Sequence, residues 1–421
     1  MFAPLRRYIV IGVCFVVLCL NFASAYAQRN NLADSNCAVT PDQILGQAYA
    51  RTSGAAGETD EGGLTPEGED ILAEGLAANA EWVMQNLAYA TPGAEPVAIL
   101  VVDDFSSDGT GDTPASHGWL VWEVFEQLHT LLPQEAASII ILQQVDIADE
   151  QGYRSDLILP AIQSAVEGLS GQGISRFVLN LSFAFIPCQD RDTGFNYSDF
   201  VEARRSNPNR SLVEQLGADP QAIQAILSDS RVGYIDETGV ASTEQEGPRG
   251  SQSLAEQSGV DQLPPTPAGA TPQLRGQDAQ VLRLFNNPRL QADPLRDFLR
   301  ESRRNDLIII PVASAGNFKQ RQPFYPARWP EVVSVSANEG DNLRFWLHSN
   351  NGDVSAPGAW FHFEDGQYRA GTSFAAPVVS MLIALDLTQT EPICGIQGNR
   401  PILAHGSYDN QLIGEAVGQY C

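Results

Sequence analysis

The feature that most constrains the fold of this chain is a series of short, unbroken apolar segments. From residue 95 onward each strand-length segment is apolar at nearly every position, as a strand covered on both faces requires. Helical patterns separate these segments, which indicates an α/β fold: a mostly parallel sheet with helices on both faces. The predicted strands are Val97–Val102, Ser138–Val145, Phe177–Ser182, Leu307–Ala313 and Val332–Ala337.

The alternation of predicted strands and helices is interrupted once, by a long insertion. About 135 residues separate Ser182 from Asn317, although a crossover between parallel strands needs only about a dozen. We therefore predict an insertion at about 188–290, with a helix near Ser211–Leu227 and a Gly-, Pro- and Ser-rich mobile loop at 244–276. The helices predicted outside it are Trp119–Leu132, Leu157–Gly168, Pro294–Arg303 and Ala376–Leu387.

The N-terminus has the pattern of an export signal. Arg6 and Arg7 precede a short apolar stretch, and Ala25-Tyr26-Ala27 is a small-residue cleavage site. We expect residues 1–27 to be removed, leaving a soluble protein that is secreted or periplasmic and not bound to a membrane. The net charge of −26 also argues against nucleic acid or an anionic membrane as a partner.

Residues 28–94 form an acidic, Gly- and Ala-rich extension with one predicted helix. Thr65 can cap this helix, Pro66 suits its first position, and acidic side chains follow in its first turn. The segment is either a propeptide or an extension packed against the domain, and we favour the packed extension. The main domain is then 95–421, with a short tail from about residue 390.

The cysteines indicate disulfides and not a metal site. Four remain after the predicted signal cleavage, and an even number in an exported chain favours two disulfides, with three possible pairings. The sequence has no CxxC pair and no Cys/His cluster, which are the patterns typical of zinc sites. Asp108–Asp112 lacks the regular ligand spacing of a calcium loop and is interpreted as a turn, so a structural calcium ion stays possible but unassigned. The four cysteines are Cys37, Cys188, Cys394 and Cys421.

The segment 371–377, Gly-Thr-Ser-Phe-Ala-Ala-Pro, places Ser373 at the start of an apolar helix. Pro377 is expected at an early helical position, where a missing N–H costs nothing. The free N–H groups and positive end of such a helix would stabilise an oxyanion beside Ser373. An ordinary N-cap serine is the alternative interpretation, and this segment alone does not decide between them.

Other polar residues fall at the ends of the predicted elements. Asp103, Ser182 and Asn317 each end or follow a strand, and His117 opens a helix. Ligands of open α/β sheets bind beyond the carboxyl ends of the strands, so we expect these residues to converge. The sequence thus predicts a polar site at that edge of the sheet.

These residues provide the parts of a nucleophilic site. A serine hydroxyl needs a base, and the imidazole of His117 has a pKa suited to that task. Asp103 would fix the tautomer of the imidazole, and the side-chain amide of Asn317 would meet developing negative charge together with the Ser373 N–H.

The order Asp103, His117, Asn317, Ser373 resembles that of the subtilisin-like serine peptidases. The resemblance extends over about 96–387 without the insertion. It depends most on the segment 371–377 and less on Ala315-Gly316-Asn317, Ser116-His117-Gly118, 325–327, 332–337 and 353–358.

The resemblance implies a subtilisin-like three-layer fold and a secreted serine endopeptidase that works through an acyl-enzyme. By this resemblance Ser373 is the nucleophile, His117 the general base and Asp103 the orienting acid, with Asn317 donating to the oxyanion. The chemistry needs no cofactor, the partner is a protein or peptide substrate, and the oligomeric state is not predicted. The segment that binds the substrate backbone and lines its pocket corresponds to Ser182, Phe183 and Ala184.

Three departures from the family pattern lead to separate expectations. Phe185 stands in a region where glycine is usual and is expected to narrow the substrate pocket, and the bulky Trp119 after Gly118 is expected to crowd the cleft. Asp104 follows Asp103, and adjacent strand residues point to opposite faces, so only one of them can orient His117. We choose Asp103, with Asp104 as the alternative.

The leading prediction is therefore an exported endopeptidase of the subtilisin type. The alternative is a binding or scaffold protein that keeps the fold but is inactive or strongly restricted, because of the two bulky residues and the long insertion. A serine esterase of the α/β-hydrolase type requires Gly-x-Ser-x-Gly and a different residue order, so we set it aside.

Overall fold

The computed structural model describes residues 36–46, 49–52, 95–109, 114–148, 152–242, 273–274, 276–302, 307–339 and 344–388. Several predictions fall outside these ranges: the signal at 1–27, the helix after Thr65, most of the loop 244–276, and the tail from residue 390 with Cys394 and Cys421. No helix within the described ranges is long and apolar enough to cross a membrane.

The described chain contains fifteen strands and ten α-helices. The strands are β1 (Asn36–Val39), β2 (Tyr49–Thr52), β3 (Val97–Asp103), β4 (Ile140–Asp146), β5 (Tyr153–Arg154), β6 (Arg176–Leu181), β7 (Ala184–Pro187), β8 (Gln189–Asp190), β9 (Phe195–Asn196), β10 (Ile308–Ser314), β11 (Val333–Glu339), β12 (Arg344–Phe345), β13 (Val354–Ala359), β14 (Phe361–His362) and β15 (Gln367–Ala370). The helices are α1 (Pro41–Leu45), α2 (His117–Thr130), α3 (Gln134–Ala137), α4 (Ser155–Ser170), α5 (Tyr197–Ser206), α6 (Leu212–Gln215), α7 (Pro220–Ser228), α8 (Gln277–Phe285), α9 (Pro294–Ser302) and α10 (Thr372–Leu387), with a 3-10 turn at Pro288–Gln291.

The central sheet has seven strands in the order β12-β11-β10-β6-β3-β4, with β13 also paired to β11. All of these pairings are parallel except that of the short β12. The five predicted strands are β3, β4, β6, β10 and β11, with ends that differ by at most two residues. The predicted α/β fold with a mostly parallel sheet is confirmed.

Strand β3 shows why the sheet has a helical layer on each face. Val97, Ile99 and Val101 pack in one buried cluster with α2 and α10. The alternate residues Ala98, Leu100 and Val102 pack in a second cluster with α4 and α9. Successive strand side chains point to opposite faces, so a strand buried on both faces is apolar at every position. The sequence pattern and the three layers have this common cause.

Two helical predictions need correction. The helix predicted near Ser211–Leu227 is two helices, α6 and α7, separated at Gly217, which has a φ of 71°. The last helix begins at Thr372 and not at Ala376, so Pro377 lies inside α10 and not at an early position. The sequence pattern underestimated how far the helix extends toward the serine.

Residues 36–46, which we call the covering segment, are packed into the described structure. Its strand β1 is the middle strand of a three-stranded antiparallel sheet, β5-β1-β7. Cys37 and Cys188 form a disulfide, so one predicted bridge is present. Farther along, β2 pairs with β15, the strand just before Gly371. Strands β1 and β2 therefore pair with two strands near the site: β7, which follows Ser182, and β15, which precedes Gly371.

The insertion packs in a third hydrophobic cluster, separate from the two that cover the faces of the central sheet. Phe195, Phe200, Leu227 and Leu282 pack there with Cys37, Val39 and Ile44 of the covering segment. Phe318 and Phe324, which follow β10, belong to the same cluster. The covering segment thus lies between the insertion and the elements that follow the central sheet.

Candidate active site

Asp103 and His117 meet at the carboxyl end of β3. Nδ1 of His117 lies 2.9 Å from Oδ2 and 3.0 Å from Oδ1 of Asp103. Both residues are buried, at 0% and 5% exposure for Asp103 and His117. A carboxylate there accepts from Nδ1–H, which leaves Nε2 as the proton-accepting nitrogen of a neutral imidazole. The pair therefore has the orientation of a general base and its supporting acid.

Asp104 points away from the histidine. Its side chain accepts hydrogen bonds from the Ser106 N–H at 2.9 Å and from the Tyr153 hydroxyl. Asp103 continues the β3 face that packs on α2, whereas Asp104 faces the opposite side. The structure thus places Asp103, and not Asp104, against His117.

Gly118 lets the two elements approach closely enough for this contact. The Gly118 N–H donates to the Asp104 carbonyl at 2.8 Å. A Cβ at residue 118 would lie 2.3 Å from that carbonyl oxygen, well inside van der Waals contact. Helix α2 can begin against the end of β3 only because residue 118 has no side chain.

Ser373 lies in the first turn of α10, where Gly371 is the N-cap residue. Its Oγ donates to the Ser182 carbonyl at 3.3 Å, and the residue is 1% exposed. The imidazole of His117 stacks on the neighbouring Phe374, with ring centroids 6.3 Å apart. His117 Nε2 is buried and has no hydrogen-bond partner among the described residues. The base is thus at the start of the serine helix with an unused acceptor.

Pro377 links the serine helix to β6. An α-helical residue at position 377 would donate its N–H to the Ser373 carbonyl, four residues earlier, but proline has none. That carbonyl accepts from the Ser182 hydroxyl instead, at 3.2 Å. Ser182 also accepts from the Asn180 side chain at 2.9 Å. The interior proline therefore creates the polar contact that holds the serine backbone against β6.

Asn317 is oriented by Thr372. Its Oδ1 accepts from the Thr372 N–H at 3.0 Å and from the Thr372 hydroxyl at 2.9 Å. Because both partners donate, the atom facing them is the amide oxygen, and the NH₂ group points the other way. The Thr372 hydroxyl oxygen accepts in turn from the Gly316 N–H at 3.0 Å. Asn317 thus presents a donor on the side away from Thr372.

The electrostatics of the pair favour a strong base. Burial opposes a positive charge on His117, but the Asp103 carboxylate outweighs it, with smaller contributions from Asp42 and Asp104, and raises the pKa of His117. Burial raises the pKa of Asp103 against the opposing effect of His117. A raised pKa makes the neutral imidazole a better proton acceptor.

A cavity lies beside the serine. Ser182, Phe183 and Ala184 line it, together with the loop after β10 and residues of the covering segment. The predicted substrate segment is thus next to Ser373. The lining residues are Val39, Pro41, Ile44, Leu45, Ser182, Phe183, Ala184, Ser314, Gly316, Asn317, Phe318, Phe324, Thr372 and Ser373.

The expectations for Phe185 and Trp119 were wrong. Neither residue lines the cavity. Phe185 is fully buried on the α4 side, where its ring lies 5.7 Å from that of Trp329. Trp119 packs edge-on against Phe105 and donates its indole N–H to the Phe105 carbonyl at 3.3 Å. Each bulky ring lies away from the cavity and therefore does not narrow it.

The contribution of the covering segment to the cavity has almost no signal in the sequence. Val39, Pro41, Ile44 and Leu45 line the cavity, and Asp42 is near enough to affect the pKa of His117. The four-residue strand β1 has no periodicity of its own, and its partners β5 and β7 are more than 100 residues away. The one signal in the sequence was the pair Cys37 and Cys188.

Within the described ranges no three His, Cys, Asp or Glu side chains come together as a possible metal site. Asp112, at the end of the segment 108–112 considered for calcium, lies outside these ranges.

The model of the subtilase family matches residues 276–394. This region includes Asn317 and Ser373, whereas Asp103 and His117 precede it. The match confirms the resemblance to subtilisin-like serine peptidases predicted from the motifs.

Several solved structures are similar to this chain. The prenylagaramide maturation protease PagA is 16% identical, over 80% of this chain and 98% of that one, with a TM-score of 0.36. The nisin leader peptidase NisP from Lactococcus lactis is 13% identical, over 74% and 83%, with a TM-score of 0.35. Sphericase is 14% identical, over 73% and 82%, with a TM-score of 0.33.

Proposed function

We propose that this protein is an exported serine endopeptidase of the subtilisin type that acts through an acyl-enzyme. The observation that carries the proposal is the buried Asp103–His117 pair, whose unpaired Nε2 lies at the start of the serine helix. The export pattern of residues 1–27 supports a secreted or periplasmic location. The substrate is a protein or peptide.

In the proposed reaction the Ser373 hydroxyl attacks the carbonyl carbon of the scissile bond while its proton passes to His117 Nε2. Asp103 stabilises the imidazolium that forms. The oxyanion accepts hydrogen bonds from the Asn317 NH₂ group and the Ser373 N–H. His117 then gives the proton to the leaving amine. In the second half of the reaction His117 takes a proton from a water molecule, which attacks the ester, and then returns the proton to Ser373 as the acid product leaves.

The serine must first change its hydrogen bond. Ser373 Oγ donates to the Ser182 carbonyl at 3.3 Å, a long bond, and has to turn toward His117 Nε2 before attack. Hydrogen bonds of catalytic groups often tighten only when substrate is bound, so this starting position is compatible with activity.

A serine-reactive phosphonate tests the proposal. We call the protein displaced when the chain is cut after Gly57 and the Cys37–Cys188 disulfide is reduced. The displaced protein should be labelled at Ser373, and Ser373→Ala should abolish both labelling and peptide hydrolysis. Ser380→Ala is a matched control: it removes a buried serine of the same helix whose hydroxyl donates to Asn180 at 3.2 Å. The control should keep most of the activity. Absence of Ser373 labelling in the displaced protein would reject the enzyme.

A binding or scaffold protein without turnover is the second candidate. The observation that favours it is the near-complete burial of Ser373 and His117, together with the covering-segment residues in the cavity beside the serine, and not the bulk of Phe185 and Trp119. In that case the displaced protein would bind peptides at the cavity but would not cleave them. Peptide binding measured by fluorescence anisotropy, beside the labelling assay, separates the two candidates.

A further inference from the structure

Strands β5 and β7 flank a position that fits one extended chain. Strand β1 lies between them and pairs antiparallel with both. Neighbouring strands are about 4.8 Å apart, so β5 and β7 stand about 10 Å from each other. Without β1 each would present an unpaired edge toward the other, which is the arrangement that binds a peptide by adding a strand.

The edge of β7 that β1 covers runs toward Ser373. The Phe185 N–H donates to the Tyr325 carbonyl at 2.7 Å, so the amides of Ala184 and Ile186 point to the opposite side, toward β1. Val39 is opposite Ala184, and Cys37 is opposite Ile186. Ala184 is two residues after Ser182, whose carbonyl accepts from the Ser373 hydroxyl.

The covering segment then continues over the site itself. After Val39 the chain turns into α1, and Pro41, Ile44 and Leu45 line the cavity that contains Ser373. The Asp42 carboxylate contributes to the raised pKa of His117. Ser373 and His117 are almost fully buried, and residues of the segment line the cavity through which a peptide bond would approach the serine.

Several contacts hold the start of the segment. The Cys37–Cys188 disulfide ties β1 to the end of β7. The Asn36 side chain donates to Asp293 at 2.7 Å, and the Tyr197 hydroxyl donates to the Ala38 carbonyl at 3.0 Å. Val39 and Ile44 are buried in the hydrophobic cluster of the insertion. The disulfide is the one covalent contact among these.

We propose that the Cys37–Cys188 disulfide is a redox latch that holds the covering segment in the groove between β5 and β7 and so keeps the protein latent. Opening the latch requires a dithiol reductant: the disulfide takes up two electrons and two protons to give two thiols, and the reductant becomes a disulfide. The segment leaves the groove once the chain beyond it is also cut. This inference rests on the proposed function for its effect on activity, but not for the occupancy of the groove.

A recognition sequence for a site-specific protease, inserted after Gly57, allows the test. The full-length protein is compared uncut or cut, each oxidised or treated with dithiothreitol. Two quantities are measured: phosphonate labelling of Ser373, and hydrogen exchange at the Ala184 and Ile186 amides. We expect both to rise at least tenfold only in the cut and reduced protein. The double variant Cys37→Ser/Cys188→Ser, once cut, should show the same tenfold increases without reductant. This result would assign the effect to this disulfide and not to another.

Each other outcome has a definite meaning. Fast labelling of the uncut oxidised protein would overturn the occupancy, and fast labelling of the cut oxidised protein would overturn the latch. Unchanged exchange in the cut, reduced wild-type protein would also overturn it, and this arm does not depend on the folding of the double variant. Faster exchange without labelling would support the latch and reject the proposed endopeptidase, so the two failures are distinguishable.

Discussion

The central sheet with its helices and the cover above it contribute to the site in different ways. The sheet brings Asp103, Asn317 and Ser373 together from the ends of separate elements, and α2 adds His117. The cover consists of the covering segment and the insertion, with a hydrophobic cluster of their own. It supplies cavity-lining residues and one acid near the base, but none of the predicted reacting groups.

The two regions therefore have different roles: the sheet positions the reacting groups, and the cover affects how a substrate reaches them. The sheet fixes the reacting groups through strand alternation and close backbone contacts, such as that of Gly118 with Asp104. By the proposed latch, the cover decides what reaches them, because β1 lies between β5 and β7. A variant of the sheet should therefore change the rate of the chemical step, whereas a variant of the cover should change the accessibility of the groove.

The largest expected effect is a difference in hydrolysis rate between variants of two adjacent carboxylates, Asp103 and Asp104. Asp103→Asn should lower the rate of peptide hydrolysis by the displaced protein by roughly 10⁴-fold, because an amide no longer holds His117 in the right tautomer or stabilises its charge. Asp104→Asn should lower that rate less than tenfold, since Asp104 contacts Tyr153 and not His117. Steady-state kinetics of the two displaced variants measure the contrast. Equal losses would mean that strand alternation does not select the acid.

An intermediate effect is expected in the cluster of the insertion. Phe200 is 1% exposed and its ring lies 6.0 Å from that of Tyr197, which bonds to β1. Phe200→Ala should lower the free energy of unfolding by about 3–5 kcal/mol and speed hydrogen exchange at Ala184 and Ile186. Phe177→Ala, a truncation in the sheet, is the matched control.

The control should cost similar stability, as measured by urea unfolding, with the faster exchange concentrated in β3, β6 and β10. If Phe200→Ala and Phe177→Ala give the same exchange pattern, the two regions are one cooperative unit and the distinction between them fails.

The smallest effect concerns pH. Asp42 adds to the raised pKa of His117. Asp42→Asn removes a negative charge that favours the imidazolium, so the pKa of His117 should fall and its titration should move to lower pH in the latched protein. NMR titration of the His117 ring measures the shift. Glu126→Gln, an exposed change on the same helix as His117, is the control. In the displaced protein the Asp42 effect should disappear, and its persistence there would contradict the departure of the segment.

Much of the sheet could be predicted from the sequence because its pattern is local. Residues 97–103 are apolar up to the aspartate, and the same alternation that buries Val101 on the α2 face places Asp103 there. The start of α10 was harder to predict, since the proline at 377 suggested a helix that begins just before it. The Ser182 hydroxyl satisfies the carbonyl that the proline leaves unpaired, and this partner is distant in sequence.

The cover could not be predicted in the same way because its contacts are not local. Strand β1 is short, and only its pairing with β5 and β7 makes it a strand. Phe185 and Trp119 were misplaced for a related reason: their bulk was evident, but the face each would occupy depended on tertiary packing. Cysteine counting left three pairings open, and the structure shows one bridge, Cys37–Cys188.

The position of β1 as a middle strand has a consequence for any assay of this protein. A ligand that belongs to the same polypeptide acts at an effective concentration in the millimolar range for a short flexible connection. A free peptide at micromolar concentration would compete poorly with it, however well the groove accepts peptides. A negative result with the intact chain would then report the outcome of this competition and not the competence of the catalytic groups.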